Sequence, residues 1–416
     1  ERNGRTENPM AHTPTENRWM PLVGGTMLNL VLGTFYSWSV FVLPLEQEFG
    51  WVRQQTSWVF SIGILTMAVT FVIAGRLHAI VGFRPLAVVG GVLFSLGFFL
   101  SSYTSSLTVL YLAYGLLAGA GNGIGYSIAT PVVTKWFPDK RGLAIGIAVG
   151  GYGAGSGIFG PIAAELLIPS VGWESTFRIY GAVFLVLSLV GAWLLKPAPD
   201  GYAPAGWDPT QIKAAVARVG GETTPAEMLR GRSFYFLFLA FFFGAIAGLG
   251  LISQLVPFGT AAGIGSVALI GLVVGAIGNT TGRVLSGAMS DNLGRLNVLR
   301  LMVVVSAVAM PALYLFGSNV LFFVVGVFAV YYCYGTLLAV FAATSADFYG
   351  TKHFGVNYGL LFLAWGIAAV AGSQLAGFVY DTFGNYQYAF FGAAVLSVMS
   401  LLCLLAAKNP TAATTA

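Results

Sequence analysis

The sequence predicts an all-α membrane protein with twelve transmembrane helices, arranged as two pseudo-symmetric halves of six. The first observation is composition: 57% of the 416 residues are hydrophobic and only 8% are charged, whereas soluble chains carry about 25% charged residues. The second is a series of twelve apolar runs, each near the ~20 residues that a helix needs to span a bilayer. The third is a pair of motifs that recur at nearly one separation along the chain.

The apolar runs define the spans, and a polar stretch after the sixth run divides them six and six. A helix is the natural form for each run, because only internal hydrogen bonds can satisfy its backbone in lipid. The predicted spans are 20–43, 56–78, 85–103, 107–135, 142–168, 174–196, 233–259, 264–289, 297–318, 320–347, 354–380 and 386–407. The predicted parts are a cytoplasmic tail at 1–19, an N-terminal half at 20–196, a cytoplasmic linker at 197–232, a C-terminal half at 233–407 and a second tail at 408–416.

The terminal tail and the linker are the polar parts of the chain. Glu1 to Trp19 is polar, and the residues before Met10 include a candidate expression-tag remnant. The first apolar run is long enough to span rather than to be cleaved, so we expect no signal peptide. The linker is rich in proline, glycine and charge, and it contains a predicted short amphipathic helix near Gln211–Val219.

The basic residues fix the orientation of the spans. With both termini in the cytoplasm, 17 of the 20 lysines and arginines fall on the cytoplasmic side, as the positive-inside rule requires. Arg53 and Arg178 fall at the outer side, and Arg283 lies within the eighth span. Because the net charge of +5 is sorted by membrane side, it does not indicate nucleic-acid binding.

Two pairs of motifs indicate that the halves repeat each other. GRLHAIVGFR at Gly75–Arg84 follows the second span, and GAMSDNLGR at Gly287–Arg295 follows the eighth. Gly142 and Gly355 open the fifth and eleventh spans, and their separation matches that of Gly75 from Gly287 to within one position. Parallel repeats about an axis along the membrane normal are one common transporter layout, with the substrate site near the midplane between the halves.

Arg283 is the candidate centre of that site. An arginine at the middle of a bilayer costs about 2.5–3.5 kcal/mol even on lenient scales, and it normally has a partner. Asn279 precedes it by one helical turn and Ser286 follows it by three residues, but no Asp or Glu lies near the middle of any span. Asp291 is about 12 Å further along the helix, so the side chain cannot easily reach the inner surface. We therefore expect an anionic substrate as partner; backbone carbonyls, Asn279 or a shallower position are the alternatives.

Polar and aromatic side chains in other spans are candidates for lining the same cavity. Most are tyrosines and asparagines at mid-span, with two apolar wall candidates and one tryptophan. Each has a structural alternative, as a packing aromatic with a satisfied hydroxyl or as an interhelical hydrogen bond. The predicted substrate-binding residues besides Arg283 are Asn279, Tyr36, Asn122, Tyr126, Tyr331, Tyr332, Tyr334, Leu143, Phe35 and Trp365.

Other chemistries find little support. Cys333 and Cys403 lie in apolar runs, and three histidines at segment ends or in the tail are too few for a zinc or haem site. The string Gly151–Gly157 lacks the βαβ context of a nucleotide site, and the glycine run of the fifth span suits close, slidable helix packing. One arginine also makes a poor channel filter. We expect no metal, no cofactor, no catalytic residue and no nucleic-acid partner, and no accessory subunit is evident.

Several motifs resemble known transporters. The pattern G-x-x-x-D-x-x-G-R at Gly287–Arg295 is similar to the loop signature of the major facilitator superfamily, and in its first-half copy Ala79 replaces the usual aspartate. Trp136–Gly142, Gly33–Trp38 and Gly278–Arg283 together resemble the oxalate/formate antiporters and the related monocarboxylate transporters. The gating and loop residues that this resemblance implies are Gly75, Arg76, Arg84, Asp139, Arg141, Asp291 and Arg295.

The resemblance implies a secondary carrier of L-lactate or pyruvate in the bacterial inner membrane, working by alternating access, coupled to protons and using Arg283 as substrate ligand. Animal members commonly carry an aspartate where this chain has Asn279, so the proton-carrying group stays open. Oxalate carriers have a lysine in the eleventh span. Phe354–Tyr380 contains no Lys or Arg, and Trp365 stands at about that place. A monoanion is therefore favoured, with oxalate/formate exchange as the alternative.

Overall fold

The computed structural model describes residues 17–137, 141–199, 202, 204, 223–350 and 353–409, with backbone alone at 79, 141–143 and 266. Its long helices follow the predicted spans. The first six are α1 (Trp19–Phe49), α2 (Arg53–Val81), α3 (Phe83–Ser101), α4 (Leu107–Trp136), α5 (Arg141–Pro161) and α6 (Ile168–Leu194). The second six are α7 (Arg232–Ala261), α8 (Ala268–Leu293), α9 (Arg295–Phe316), α10 (Val320–Tyr349), α11 (Phe354–Phe383) and α12 (Gln387–Ala406).

The all-helical membrane fold is confirmed, with one difference in how the spans are divided. Eleven helical runs of the described chain are long and apolar enough to cross a membrane, because Ala144–Leu194 forms one run of 51 residues. Inside that run Gly172 has φ +80, which breaks the helix. The predicted spans 142–168 and 174–196 meet at this break, so the architecture is that of twelve membrane helices.

Glycines with positive φ mark the turns, and they recur in both halves. Such a backbone conformation is routine for glycine and costly for other residues. Six of the seven positive-φ glycines in the described ranges form pairs at the separation of the two motif copies, to within one position. The pairs are Gly50 with Gly263, Gly82 with Gly294, and Gly172 with Gly384. The turns that join successive helices are therefore built alike in the two halves, at the spacing that the motifs predict.

Two antiparallel helix pairs join the halves along the centre of the molecule. α2 packs on α11, and α5 packs on α8. A Cβ at Gly366 would lie 2.5 Å from the Cβ of Ala68, and one at Gly157 would lie 2.6 Å from that of Ala276. Small residues permit this close approach in lipid, where van der Waals packing drives association. Under the predicted repeat α2 corresponds to α8 and α5 to α11, so the two pairs are images of each other.

Part of the predicted linker lies within the described residues and is helical. A short helix at Pro225–Arg230 starts with a capping box, in which Thr224 and Glu227 bond each other's backbone N–H. The backbone N–H and hydroxyl of Thr224 lower the pKa of Glu227. The amphipathic helix predicted near Gln211–Val219 and most of both tails lie outside the described residues.

Candidate functional site

The packing of α8 against α10 positions Arg283. A Cβ at Gly278 would lie 2.7 Å from the carbonyl oxygen of Phe328, and one at Gly282 would collide with that of Tyr332. The glycine face of α8 is therefore pressed onto α10. Arg283 lies next to this face, and only 5% of its side chain is exposed. The arginine predicted to lie inside the membrane is thus held in the protein interior.

The guanidinium of Arg283 bridges the two halves through neutral groups. Its Nε donates to Oδ1 of Asn279, on its own helix, at 3.0 Å. Its Nη1 donates to the hydroxyl of Tyr126, on α4 of the other half, at 3.0 Å. Its central carbon lies 5.8 Å from the ring centroid of Tyr152 on α5, within the range of a cation–π contact.

The site holds a fixed positive charge and an unused hydrogen-bond donor. Within the described part of the chain, no Asp or Glu forms a salt bridge with Arg283. Nδ2 of Asn279 is buried and has no hydrogen-bond partner among the described residues. Buried polar groups are nearly always hydrogen-bonded. An unused N–H group beside a fixed positive charge suits an anion with several lone pairs.

A second hydrogen-bonded chain lies beside the arginine. Tyr36, in a tight 3₁₀ turn within α1 (Thr34–Ser37), has its hydroxyl 2.7 Å from that of Tyr334 on α10. Nε1 of Trp365 donates to the same Tyr334 hydroxyl at 2.8 Å. The Tyr36 and Tyr334 hydroxyls are both close enough to interact electrostatically with Arg283. Indole has a donor and no acceptor, so this chain adds further donors to the site.

Aromatic rings pack between the halves near Arg283, on the side of the chain termini, which the sequence predicts to be the cytoplasmic side. Phe71 on α2 lies 4.9 Å from Phe362, 6.3 Å from Tyr358 and 6.0 Å from Tyr126, measured between ring centroids. We call these four residues the inner aromatic cluster. It joins α2 and α4 of one half to α11 of the other through apolar contacts.

A polar cluster joins the outer ends of the halves. Arg53 donates to both carboxylate oxygens of Glu46 at 2.7 and 2.8 Å, and its Nη1 donates to the Tyr386 hydroxyl at 2.5 Å. Gln254 bonds the same hydroxyl at 3.1 Å. Asp381 on α11 accepts from the first two backbone N–H groups of α2 at 3.0 and 2.6 Å, so it caps a helix of the opposite half. We call these five residues the outer closure, because they join the halves at the end that the sequence assigns to the outer side.

The structure brings five of the predicted substrate-binding residues together around Arg283: Asn279, Tyr36, Tyr126, Tyr334 and Trp365. Their hydroxyl, amide and indole groups form two neighbouring hydrogen-bonded sets, one on Arg283 and one on the Tyr334 hydroxyl, and each set includes residues of both halves.

The other predicted residues lie elsewhere or make different contacts. Asn122 donates to the carbonyl of Leu32 at 3.1 Å and to Tyr152, so it joins helices as its structural alternative proposes. Phe35 stacks on Tyr114 at 4.7 Å inside the N-terminal half. The remaining two tyrosines stay near α8: Tyr331 packs beside Gly275, and the Tyr332 hydroxyl accepts from Ser286 at 3.1 Å. The side chain of Leu143 is not described.

Sequence reasoning missed one residue of the site, Tyr152. It is the only aromatic residue among the glycines at 142–157, and this isolated position could have marked it as a candidate site residue. Its place in the repeat was another, because Tyr152 and Trp365 are separated by the same stretch of chain as Gly142 and Gly355. Both rings lie beside the charged centre, one from each half.

The two copies of the loop motif differ. Arg295 forms a salt bridge with Asp291 at 2.6 Å and with Asp347 at 3.0 Å. In the first half, Arg76 and Arg84 are exposed, and neither forms a salt bridge with a described carboxylate. Gly75 approaches the backbone of α11, since its Cβ would lie 4.0 Å from the carbonyl of Gly355. Asp139 lies outside the described residues, and the Arg141 side chain is not described.

Comparison with known proteins identifies the family. Residues 25–330 and 264–416 match the family model of the Major Facilitator Superfamily. The chain belongs to the major facilitator superfamily. It is therefore a multi-pass membrane protein with the twelve-helix fold of that family, and the resemblance drawn from the sequence motifs is confirmed.

Several curated relatives span nearly the whole chain. The uncharacterized MFS-type transporter YhjX of Escherichia coli is 31% identical over 85% of this chain and 86% of its own. The oxalate:formate antiporter of Oxalobacter formigenes is 28% identical over 92% of this chain and 90% of its own. Monocarboxylate transporter 13 of Rattus norvegicus is 28% identical over 93% and 88%. These relatives are named as transporters, which supports transport rather than enzymatic catalysis.

Proposed function

We propose that this protein is a secondary carrier of small monocarboxylates such as L-lactate and pyruvate, and that Arg283 binds the carboxylate. The observation that carries the proposal is the buried guanidinium with neutral partners only, among the described residues, and with donors to spare. The names of the relatives support a carboxylate as substrate. Charge-assisted bonds from a guanidinium to a carboxylate are about twice as strong as neutral ones.

Binding would couple to alternating access through charge neutralisation. Closing a low-dielectric site around an unpaired cation is costly, and a bound anion removes much of that cost. In this proposal the carboxylate oxygens would accept from the guanidinium of Arg283 and from Nδ2 of Asn279, which is buried and has no partner among the described residues. Both the outer closure and the inner aromatic cluster join the halves in this structure. Rocking of the halves about the site would open one of them at a time.

A monoanion matches the site better than a dianion. The site has one fixed positive charge, since α11 contains no Lys or Arg. The N–H of Trp365 is already directed at Tyr334. Exchange of oxalate and formate is the alternative, supported by the name of one relative. That alternative leaves the second charge of oxalate without a cationic partner.

Coupling to protons and the membrane orientation complete the proposal. We propose symport with protons, with both termini in the cytoplasm of a bacterial cell and the chain in its inner membrane. The distribution of Lys and Arg supports the orientation. The proton has three candidate routes: the substrate's own carboxylate, water together with Asn279, or a loosely coupled path.

Uptake into proteoliposomes tests the function. Labelled L-lactate, formate and oxalate are presented with and without an inward proton gradient. We expect saturable lactate uptake that the gradient stimulates. Arg283→Ala should lower uptake about 100-fold or more, because two charge-assisted bonds are lost. Arg178→Ala is the matched control, because Arg178 is an exposed outer arginine paired with Glu174 at 3.8 Å. Saturable uptake that survives Arg283→Ala would refute the assigned role.

A charge added at Trp365 tests the choice between monoanion and dianion. Trp365→Lys places a second cation on α11 beside the site, so we expect oxalate to begin to compete with lactate uptake. The inhibition constant of oxalate is the measurement. An unchanged constant in a variant that still carries lactate would contradict the explanation by charge number.

A further inference from the structure

The hydrogen bond between Arg283 and Tyr126 joins the two halves of the molecule. Arg283 belongs to α8 of the C-terminal half and Tyr126 to α4 of the N-terminal half, and their bond of 3.0 Å crosses between the halves. The bond to Asn279 stays within α8. Rocking of the halves stretches the first bond and leaves the second unchanged. Tyr126 is therefore an acceptor that reaches the arginine only when the halves close around it.

Tyr126 is held in place for this contact. Its ring lies 4.9 Å from that of Tyr152, edge to face, and 6.0 Å from that of Phe71. Both neighbours belong to the N-terminal half. The hydroxyl thus projects from a packed aromatic group towards the guanidinium, and little conformational entropy is lost when the bond forms.

The Arg283–Tyr126 bond affects the step in which the empty carrier reorients. A carrier that cannot close around its bare arginine exchanges one anion for another but performs no net transport. An acceptor on the opposite half lowers the cost of that closure, because it gives the cation a hydrogen bond in the dry site. A carboxylate is the stronger acceptor, so substrate displaces the phenol when it binds.

We propose that Tyr126 is the internal acceptor that lets the unloaded carrier reorient, and so makes net transport possible rather than exchange alone. Tyr126 acts through Arg283 and is a positioning residue in this step. The inference rests on the proposed function, because it assumes that Arg283 binds the transported anion. It adds the mode of transport and the side chain that sets it.

The test compares two fluxes in the same vesicles. Net uptake of labelled L-lactate into empty proteoliposomes requires the unloaded return step, whereas counterflow into lactate-loaded vesicles does not. Tyr126→Phe removes the acceptor and keeps the ring. We expect the ratio of net uptake to counterflow to fall about 10- to 100-fold, the scale of one bond to a charged group, whatever smaller loss of binding lowers both fluxes together.

The controls separate this inference from the proposed function. Tyr114→Phe removes another buried hydroxyl, which donates to the carbonyl of Phe35 at 3.2 Å, and should leave the ratio of the fluxes unchanged. If the wild type carries no monocarboxylate, the proposed function fails. If the wild type carries lactate and Tyr126→Phe lowers both fluxes equally, or neither, the inference fails. If Tyr126→Phe does not fold, the two fluxes are measured in Tyr126→Leu, which removes the same acceptor.

Discussion

Arg53 and Arg283 are buried to the same extent, with 5% of each side chain exposed, yet their surroundings differ. Arg53 forms two bonds with Glu46, and it also contacts the Tyr386 hydroxyl, Gln254 and the ring of Tyr380. Arg283 contacts an amide oxygen, a phenol and an aromatic face. One arginine is neutralised within the protein, and the other, as far as the described residues go, is not.

Burial of an arginine by itself therefore does not identify a binding site. A buried ion pair uses its own groups and leaves little for a ligand, whereas an uncompensated cation with spare donors has a use only when an anion arrives. The two arginines should therefore respond differently to the same substitution. Loss of Arg53 should harm the fold, and loss of Arg283 should harm binding.

The largest expected difference is in stability. Arg53→Met leaves the partly buried Glu46 without its cation, and breaking a buried pair costs up to about 3–5 kcal/mol. Arg283→Met removes a buried charge that no described carboxylate balances, so stability should be unchanged or higher. Thermal unfolding of both variants in one detergent measures the effect. Equal destabilisation by the two substitutions would remove the distinction between the sites.

Exchange of each arginine for lysine tests whether the planar guanidinium is required or only its positive charge. Lysine keeps the charge but lacks the planar fork that binds a carboxylate in two places. Arg283→Lys should therefore lower lactate uptake about 10- to 100-fold, through a higher KM. Arg53→Lys keeps a cation beside Glu46 and should keep near-normal KM. A normal KM in Arg283→Lys would show that the fork is not used.

The smallest expected effect concerns the cap that Asp381 supplies in the outer closure. Asp381→Asn removes a negative charge at the N-terminus of α2, an interaction worth about 0.3–1 kcal/mol. The outer side should open about two- to fivefold more often. The labelling rate of a Ser373→Cys probe by an impermeant thiol reagent reports this, because Ser373 is fully buried against Ser61. Glu174→Gln, within one half, is the control and should leave the labelling rate unchanged.

The sequence predicted the membrane fold well, because the bilayer forces each apolar run into a helix. It also singled out Arg283, since a charge inside a span is costly wherever it points. The same reasoning placed Arg53 at the outer side but did not predict its burial, because its partners Glu46, Gln254 and Tyr386 come together only in the folded chain. The direction in which Tyr331, Tyr332 and Tyr334 point depends on how α10 packs on the glycines of α8, which hydropathy does not encode.

The internal repeat relates more residues than the two motif pairs from which it was inferred. The paired turn glycines at 82 and 294 and the paired aromatics Tyr152 and Trp365 share its spacing, and alignment of the halves identifies both pairs. What alignment cannot supply is the hydrogen-bond geometry. Tyr126 meets Arg283 because α4 and α8 approach each other from different halves, and this is a tertiary contact without a local signal.

Phe71 of the inner aromatic cluster occupies the position in the first half that Arg283 occupies in the second, since the two are as far apart along the chain as Gly75 and Gly287. The pseudo-two-fold axis therefore relates a phenyl ring to a guanidinium, so the interface between the halves is apolar on one side of the axis and charged on the other. Under the proposed function, a cargo with a charged end and a hydrocarbon end would bind in one orientation only. A symmetric diacid of the same length would not match this polarity.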